Sequence, residues 1–175
     1  MCNHAPRRME LPDFGTTIKV STDSFLCLSP DTLSSAFKKG YNCDSVNFRY
    51  IIYSDSTICS PCELGKMGIW RSIERNTKDI GVKVDYIFIF SPSKSKTKEL
   101  INAFYKRSYK FRLHIDTLNV LERENPMISH SFSCLLDKND TIVFIGNPAK
   151  NEAIERNYYK FLIQSKRQII AKGSN

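Results

Sequence analysis

The chain has 175 residues, of which 41% are hydrophobic and 25% are charged, and its formal net charge is +8. This length fits one domain with a short extension, and the composition is that of a globular protein. No apolar run is long enough to span a bilayer. The six cysteines are too few and too scattered for a disulfide scaffold, so counting them does not fix the compartment.

Much of the positive charge lies between residues 94 and 112, where seven Lys and Arg residues accompany a single Glu. Such a segment is either a basic surface for an acidic partner or the solvated face of a helix. An apolar stripe in the segment already accounts for a helix, and no nucleic-acid-binding motif accompanies the charge. We therefore predict a solvated face and no nucleic-acid partner.

The first 12 residues are polar, and we predict a flexible N-terminal tether at 1–12. Short β-type runs at 17–20 and 24–28 predict an N-terminal β extension beside the main sheet. A helix start at Pro30 and a stop at Gly40 predict a short helix between them.

The rest of the chain is organised around residues 47–73. A run rich in Ile and Tyr predicts a strand at 48–53, and apolar residues at helical spacing predict a helix over 62–76. Cys59 and Cys62 lie between the two. A C-x-x-C motif therefore falls where a strand passes into a helix.

Strands and helices alternate after this point. The most apolar run, 82–90, predicts the buried central strand. The other predicted elements are a helix at 96–109, a strand at 111–115, a helical turn near 118–123, a hairpin of 131–136 and 141–145, and a helix at 151–169. This order predicts an α/β fold with a mixed central sheet and helices on both faces.

The domain organisation follows from these elements. We predict a single domain at 13–170, with its core at about 47–170, and a tail at 171–175. No internal repeat or low-complexity segment interrupts it.

The C-x-x-C placement has chemical consequences. A thiol becomes a strong nucleophile only as a thiolate. The unpaired N–H groups and positive dipole end of a first helical turn favour that form at Cys59 and Cys62. Pro61 suits an early helical position because it lacks an N–H, and Ser60 completes the motif. The pair can cycle between dithiol and disulfide, with Cys59 attacking and Cys62 resolving.

A metal site is the alternative use of these cysteines. It needs two more ligands, which Cys43, Cys134 or His130 could supply only through folding. We therefore predict no metal and no cofactor. Four cysteines stand alone in the sequence, and we predict that such cysteines are small buried residues; they are Cys2, Cys27, Cys43 and Cys134.

The strand, C-x-x-C motif and helix, together with the later elements and the closing hairpin at 135–148, resemble the thioredoxin fold. The likeness extends to about residue 165 and is greatest to bacterial extracytoplasmic, membrane-anchored proteins of the redoxin type. It implies a thiol–disulfide oxidoreductase acting on protein thiols or disulfides in a periplasmic or membrane-tethered setting. It also implies that Cys2 is the lipidated first residue of a mature lipoprotein, the alternative being an ordinary cysteine near a terminus.

Before the cysteines the chain departs from the family pattern. Ile58 replaces a tryptophan, and Tyr53 replaces a buried acid that serves as proton acceptor. Asp55 lies two residues beyond Tyr53 in a predicted exposed turn, from which it could substitute for that acid.

The loop facing the cysteines also departs from the pattern. Ser131 stands where the family has a cis-proline, and since a cis bond there would cost about 3 kcal/mol, we predict a trans bond. His130 precedes it and is predicted either to face Cys59 and stabilise its thiolate or to be a surface histidine.

These departures keep other functions open. One is a non-catalytic interaction module of the same fold with a vestigial or structural C-x-x-C. Another is a peroxidase of the redoxin type, but residues 56–59 lack the proline usually found there.

Overall fold

The structure of the protein, a computed structural model, describes the chain in five segments. They are residues 13–29, 46–58, 60–107, 109–128 and 130–173, and the side chains of 60, 61, 172 and 173 are not described. The predicted tether and the helix predicted between Pro30 and Gly40 lie outside these residues.

Six strands of the described segments form one mixed sheet. They are β1 (Leu26–Leu28), β2 (Phe48–Ser54), β3 (Val84–Phe90), β4 (Leu113–Ile115), β5 (Ser131–Leu136) and β6 (Ile142–Ile145). Their order across the sheet is β1-β4-β3-β2-β5-β6. β2, β3 and β4 run parallel, whereas β1, β5 and β6 are antiparallel to their neighbours. The predicted mixed sheet is confirmed.

Four α-helices of the described segments cover both faces of this sheet. They are α1 (Ser60–Ile80), α2 (Lys94–Tyr105), α3 (Val120–Glu124) and α4 (Glu152–Gly173). Side chains of α1, α2 and α4 belong to one buried apolar cluster, and those of α3 belong to a second cluster. The predicted placement of helices on both faces is therefore confirmed.

Strand β2 lies with β3 in the middle of the sheet, as predicted for β3, and it shows why the sequence folds this way. Tyr50 and Ile52 belong to the first cluster, while Ile51 and Tyr53 belong to the second. A strand covered on both faces buries side chains on each of them, so its apolar residues are continuous instead of alternating; in β2 only Arg49 is not fully buried. Burial of each such side chain contributes roughly 1.5–3 kcal/mol.

Helix α1 packs on β2 through its predicted apolar face. Leu64, Met67, Trp70 and Ile73 are all buried. The ring of Trp70 meets that of Tyr50 edge to face, with centroids 5.1 Å apart. This packing fixes the helix, and hence its N-terminus, against the central strand.

The N-terminal extension lies beside the sheet, as predicted. β1 pairs antiparallel with β4 at the sheet edge, and Thr17 forms a bridge with Thr141. Cys134 is free and buried, as predicted. The expectation for Cys27 is wrong, because an edge strand leaves this free cysteine exposed.

Candidate active site

The candidate site lies along the edge of the sheet that is formed by the C-terminal ends of β2 and β3 and by the start of β5. Ser54, the last residue of β2, is in register with Phe90 of β3 and with Ser131 of β5. Residues 55–58 lead from this point toward α1. The N-terminus of α1, with its unpaired N–H groups and positive dipole end, therefore opens at the same edge.

Cys62 lies in the first turn of α1, where it is exposed. It is disulfide-bonded, whereas Cys27 and Cys134 are free, so its partner lies outside the described residues. Cys59 is also outside the described residues. α1 begins at Ser60, two residues before the predicted start, and Pro61 takes the early helical position predicted for it.

Three side chains gather on the loop before the cysteines. Thr57 donates two hydrogen bonds to Asp55 Oδ1, at 3.0 Å from its N–H and 2.6 Å from its hydroxyl. His130 Nδ1 lies 3.0 Å from Asp55 Oδ2. The Asp55 N–H in turn donates to the carbonyl of His130 at 2.9 Å. The carboxylate of Asp55 is thus held from two sides.

These bonds determine the charge of Asp55. Its partial burial alone would raise the pKa of the carboxyl, but the hydrogen bonds from Thr57 and His130 lower the pKa below its ordinary value of 3.8. Asp55 is therefore ionised at neutral pH and can only accept hydrogen bonds. It follows that the hydrogen between Asp55 Oδ2 and His130 Nδ1 is carried by the histidine.

His130 has an uncommon backbone conformation. Its φ is 56°, in the left-handed region that favours glycine, although histidine enters it more readily than most residues. Its side chain is 62% exposed, so apolar packing does not hold it there. The side-chain and backbone contacts with Asp55 provide the restraint.

A second set of contacts joins the start of β5 to the start of α1. Lys150 Nζ donates to Ser131 Oγ at 3.1 Å and lies 3.8 Å from Glu63 Oε1. Lys66 Nζ lies 2.6 Å from the same carboxylate oxygen. Glu63 directly follows Cys62, so these contacts place Ser131 and His130 opposite the first turn of α1.

The position that carries an acid in the thioredoxin pattern cannot accept a proton here. Tyr53 is fully buried, and burial, followed by the nearby Glu122, raises its pKa far above the ordinary value of 10.0. Its phenol therefore remains protonated at neutral pH. No cis peptide bond occurs within the described segments, so the predicted trans bond before Ser131 is confirmed.

The geometry differs from the sequence-based expectations at three positions. Asp55, predicted to be exposed, has a side chain only 13% exposed, because Thr57 and His130 cover it. Lys150 and Glu63 were not predicted as site residues. Their contact joins the turn after β6 to α1, and no local pattern in the sequence signals it.

Comparison with known proteins gives no match to a family model and none to a curated protein. Solved structures do resemble the chain. A Chlorobium tepidum protein described as thiol:disulfide interchange protein DsbE has a TM-score of 0.53 and 17% identity, over 87% of this chain and 99% of that one. The thioredoxin domain of a Bacteroides vulgatus thiol-disulfide oxidoreductase has a TM-score of 0.57 and 10% identity, over 86% of this chain and 99% of that one.

The likeness, at this level of identity, concerns the fold. The chain has the thioredoxin-like fold, with its mixed sheet and helices on both faces, and this is the fold of those oxidoreductases. None of the helices in the described segments is both long and apolar enough to cross a bilayer.

Proposed function

We propose that the protein is a thiol–disulfide oxidoreductase that uses Cys59 and Cys62 as its redox pair. One observation carries the proposal: Cys62 is disulfide-bonded in the first turn of the helix that follows the central strand. A surface disulfide at a helix N-terminus is accessible, and the helix end favours its reduced thiolate form. We assign Cys59 as the partner of Cys62, since two intervening residues bring the sulfurs within reach.

In the reducing direction the reaction has two steps. The Cys59 thiolate attacks a substrate disulfide, a Cys59–substrate disulfide forms, and one substrate thiolate leaves and takes up a proton. Cys62 then loses its proton and attacks Cys59, which forms the Cys59–Cys62 disulfide and releases the second substrate thiol. The cysteine pair loses two electrons, and the substrate disulfide gains them.

His130 and Ser131 face this pair across the sheet edge in the proposed site. An imidazolium near Cys59 would stabilise the thiolate. Ser131 stands where the family has a cis-proline, and its trans bond argues against substrate docking there by backbone pairing as in thioredoxin. We propose protein thiols or disulfides as substrates and no nucleic-acid partner.

The test is a redox titration of the whole chain in glutathione or dithiothreitol buffers, with free thiols counted by mass. We expect one reversible two-electron transition that Cys59→Ser and Cys62→Ser each abolish. The matched control is Cys27→Ser, which removes an exposed free thiol and should leave the transition in place. No transition in the unmodified chain would refute the proposal.

A second function, a non-catalytic interaction module, is favoured by Tyr53. A buried phenol stands where the thioredoxin pattern has a proton-accepting acid. In such a module the disulfide of Cys62 would be structural. It would then stay oxidised at potentials where redox proteins are reduced, and its removal would lower stability by about 2 kcal/mol, because a C-x-x-C disulfide closes a very short loop. The same titration, followed by urea unfolding of Cys62→Ser, separates the two functions.

The cellular setting is proposed from the resemblance alone. We propose an extracytoplasmic protein, periplasmic or tethered to a membrane by a lipid on Cys2. Stable anchoring needs more than one weak signal, and the Arg residues that follow Cys2 could add to an acyl chain. Mass spectrometry of the native protein isolated from membranes is the test, and an unlipidated N-terminus would refute the tether.

A further inference from the structure

We propose that Asp55 and His130 act as one unit that takes up and returns the proton of the attacking thiol, with Asp55 as a positioning residue. This inference rests on the proposed function of the cysteine pair. It replaces the expectation that His130 acts alone as a nearby positive charge.

The contact with Asp55 fixes which nitrogen of the His130 ring carries the hydrogen. Asp55 is ionised and only accepts, so His130 Nδ1, 3.0 Å from Oδ2, carries a hydrogen. In a neutral imidazole the other nitrogen, Nε2, is then the acceptor. Because the ring is 62% exposed at the edge that carries Cys62, Nε2 is available to a thiol.

The backbone conformation of His130 has an energetic cost. A residue other than glycine in the left-handed region is strained, and such strain is found where the surroundings determine a functional geometry. The two residues restrain each other, since the backbone N–H of Asp55 also donates to the carbonyl of His130 at 2.9 Å. Thr57 holds the other oxygen of the carboxylate, so Asp55 itself cannot rotate freely.

Tyr53, at the position of the acid in the thioredoxin pattern, cannot serve as the proton acceptor. Tyr53 is protonated at neutral pH, as shown above. A thiol that becomes a thiolate needs a group to take its proton, and a histidine whose Nδ1 is held by a carboxylate offers Nε2 as that acceptor.

The charged groups around His130 come from three elements. Asp55 approaches from the end of β2, and Lys150 reaches Ser131 from the turn before α4. Glu63, in the first turn of α1, is already paired with Lys66 at 2.6 Å and lies near Lys150. Asp55 is thus the carboxylate that bonds the imidazole, while the carboxylate of Glu63 is paired with lysines.

The proton transfer is balanced within the proposed reaction. The Cys59 thiol gives its proton to His130 Nε2, and the resulting thiolate forms a bond to one sulfur of the substrate disulfide. The bond between the two substrate sulfurs breaks, and the leaving thiolate takes the proton from Nε2. The imidazole ends as it began, and the electrons come from the cysteine pair.

The experiment follows single turnovers of the reduced full chain with 4,4′-dithiodipyridine between pH 4 and 9. The variants are Asp55→Asn, which keeps the shape and removes the charge, and His130→Gln. The matched control is Asp79→Asn, an exposed carboxylate in α1. We expect both site variants to be about tenfold slower or more at neutral pH, with an altered pH profile, and the control to match the unmodified chain.

A spectroscopic readout separates positioning from a general loss of structure. The ¹⁵N shifts of the His130 ring should place the hydrogen on Nδ1 in the unmodified chain and on Nε2 in Asp55→Asn. If the unmodified chain shows no reversible dithiol reaction, the proposed function fails and this inference fails with it. If it reacts but both site variants keep the rate and pH profile of the control, only this inference is overturned.

Discussion

Replacing His130 by glycine and by alanine should reverse the usual order of stability of these two residues. In an ordinary strand or helix, a protein with alanine is more stable than one with glycine by roughly 0.5–1 kcal/mol, because glycine loses more chain entropy on folding. His130 has a φ of 56°, where the Cβ of any residue but glycine approaches the next carbonyl oxygen. The alanine variant has this steric cost and the glycine variant does not.

The steric cost to the alanine variant and the entropic cost to the glycine variant have opposite effects on the difference in stability. The left-handed conformation costs alanine about 1–2 kcal/mol, and the entropy of glycine opposes this with roughly 0.5–1 kcal/mol. The glycine variant should therefore be more stable than the alanine variant by about 1 kcal/mol. Both variants lose the contact with Asp55, a partly exposed pair that contributes about 0–1 kcal/mol, so this loss cancels in the comparison.

Urea unfolding measures the difference directly. The single tryptophan, Trp70, is 2% exposed, so its fluorescence reports the loss of the core. The matched control is the same pair of changes at Ser131, a strand residue without positive φ, where alanine should be the more stable. If alanine equals or exceeds glycine at position 130 in the free energy of unfolding, the strain argument is refuted.

Three further predictions concern buried groups outside the cysteine pair. Asp116 is 1% exposed and accepts bonds from the N–H groups of Leu118, Val120 and Leu121. Asp116→Ala should lower the free energy of unfolding by about 2–3 kcal/mol in urea, and a loss under 1 kcal/mol would contradict this. Burial, together with Arg112, lowers the pKa of His114 from 6.5 to about 4. His114 takes up a proton below pH 6.5 in the unfolded chain, but only near pH 4 in the folded chain. Stability should therefore fall as pH drops through this window, by up to about 3 kcal/mol, and His114→Gln should flatten the urea-measured dependence. Burial also raises the pKa of the Cys134 thiol, so maleimide should label Cys27 and not Cys134 in the native protein, as counted by mass.

The fold could be predicted because its signals are local. The continuous apolar runs of β2 and β3 indicate strands covered on both faces, and the spacing of Leu64, Met67 and Trp70 indicates one buried helix face. The helix ends were less well predicted, because they depend on distant residues. α1 continues to Ile80, whose carbonyl accepts a bond from Lys166 of α4 at 2.7 Å.

The site was predicted only in part, because its contacts join residues that are far apart in the chain. Asp55 and His130 are separated by 75 positions, and nothing near Asp55 shows that a histidine will cover it. Its sequence setting is that of a turn, which predicts exposure. The register of Ser54 with Ser131 brings the two together, and this register is a property of the sheet as a whole.

Both carboxylates near the first turn of α1 have cationic or donor partners. A free carboxylate there would oppose the positive helix end and disfavour a thiolate. Glu63 is paired with Lys66 and lies near Lys150, and Asp55 is bonded by His130 and Thr57. The lysines offset the negative charge of Glu63, whereas Thr57 and His130 donate hydrogen bonds that disperse the charge of Asp55, which stays ionised. The carboxylate that directly follows Cys62 in the chain is therefore paired with lysines, so it opposes the positive end of α1 less than a free carboxylate would.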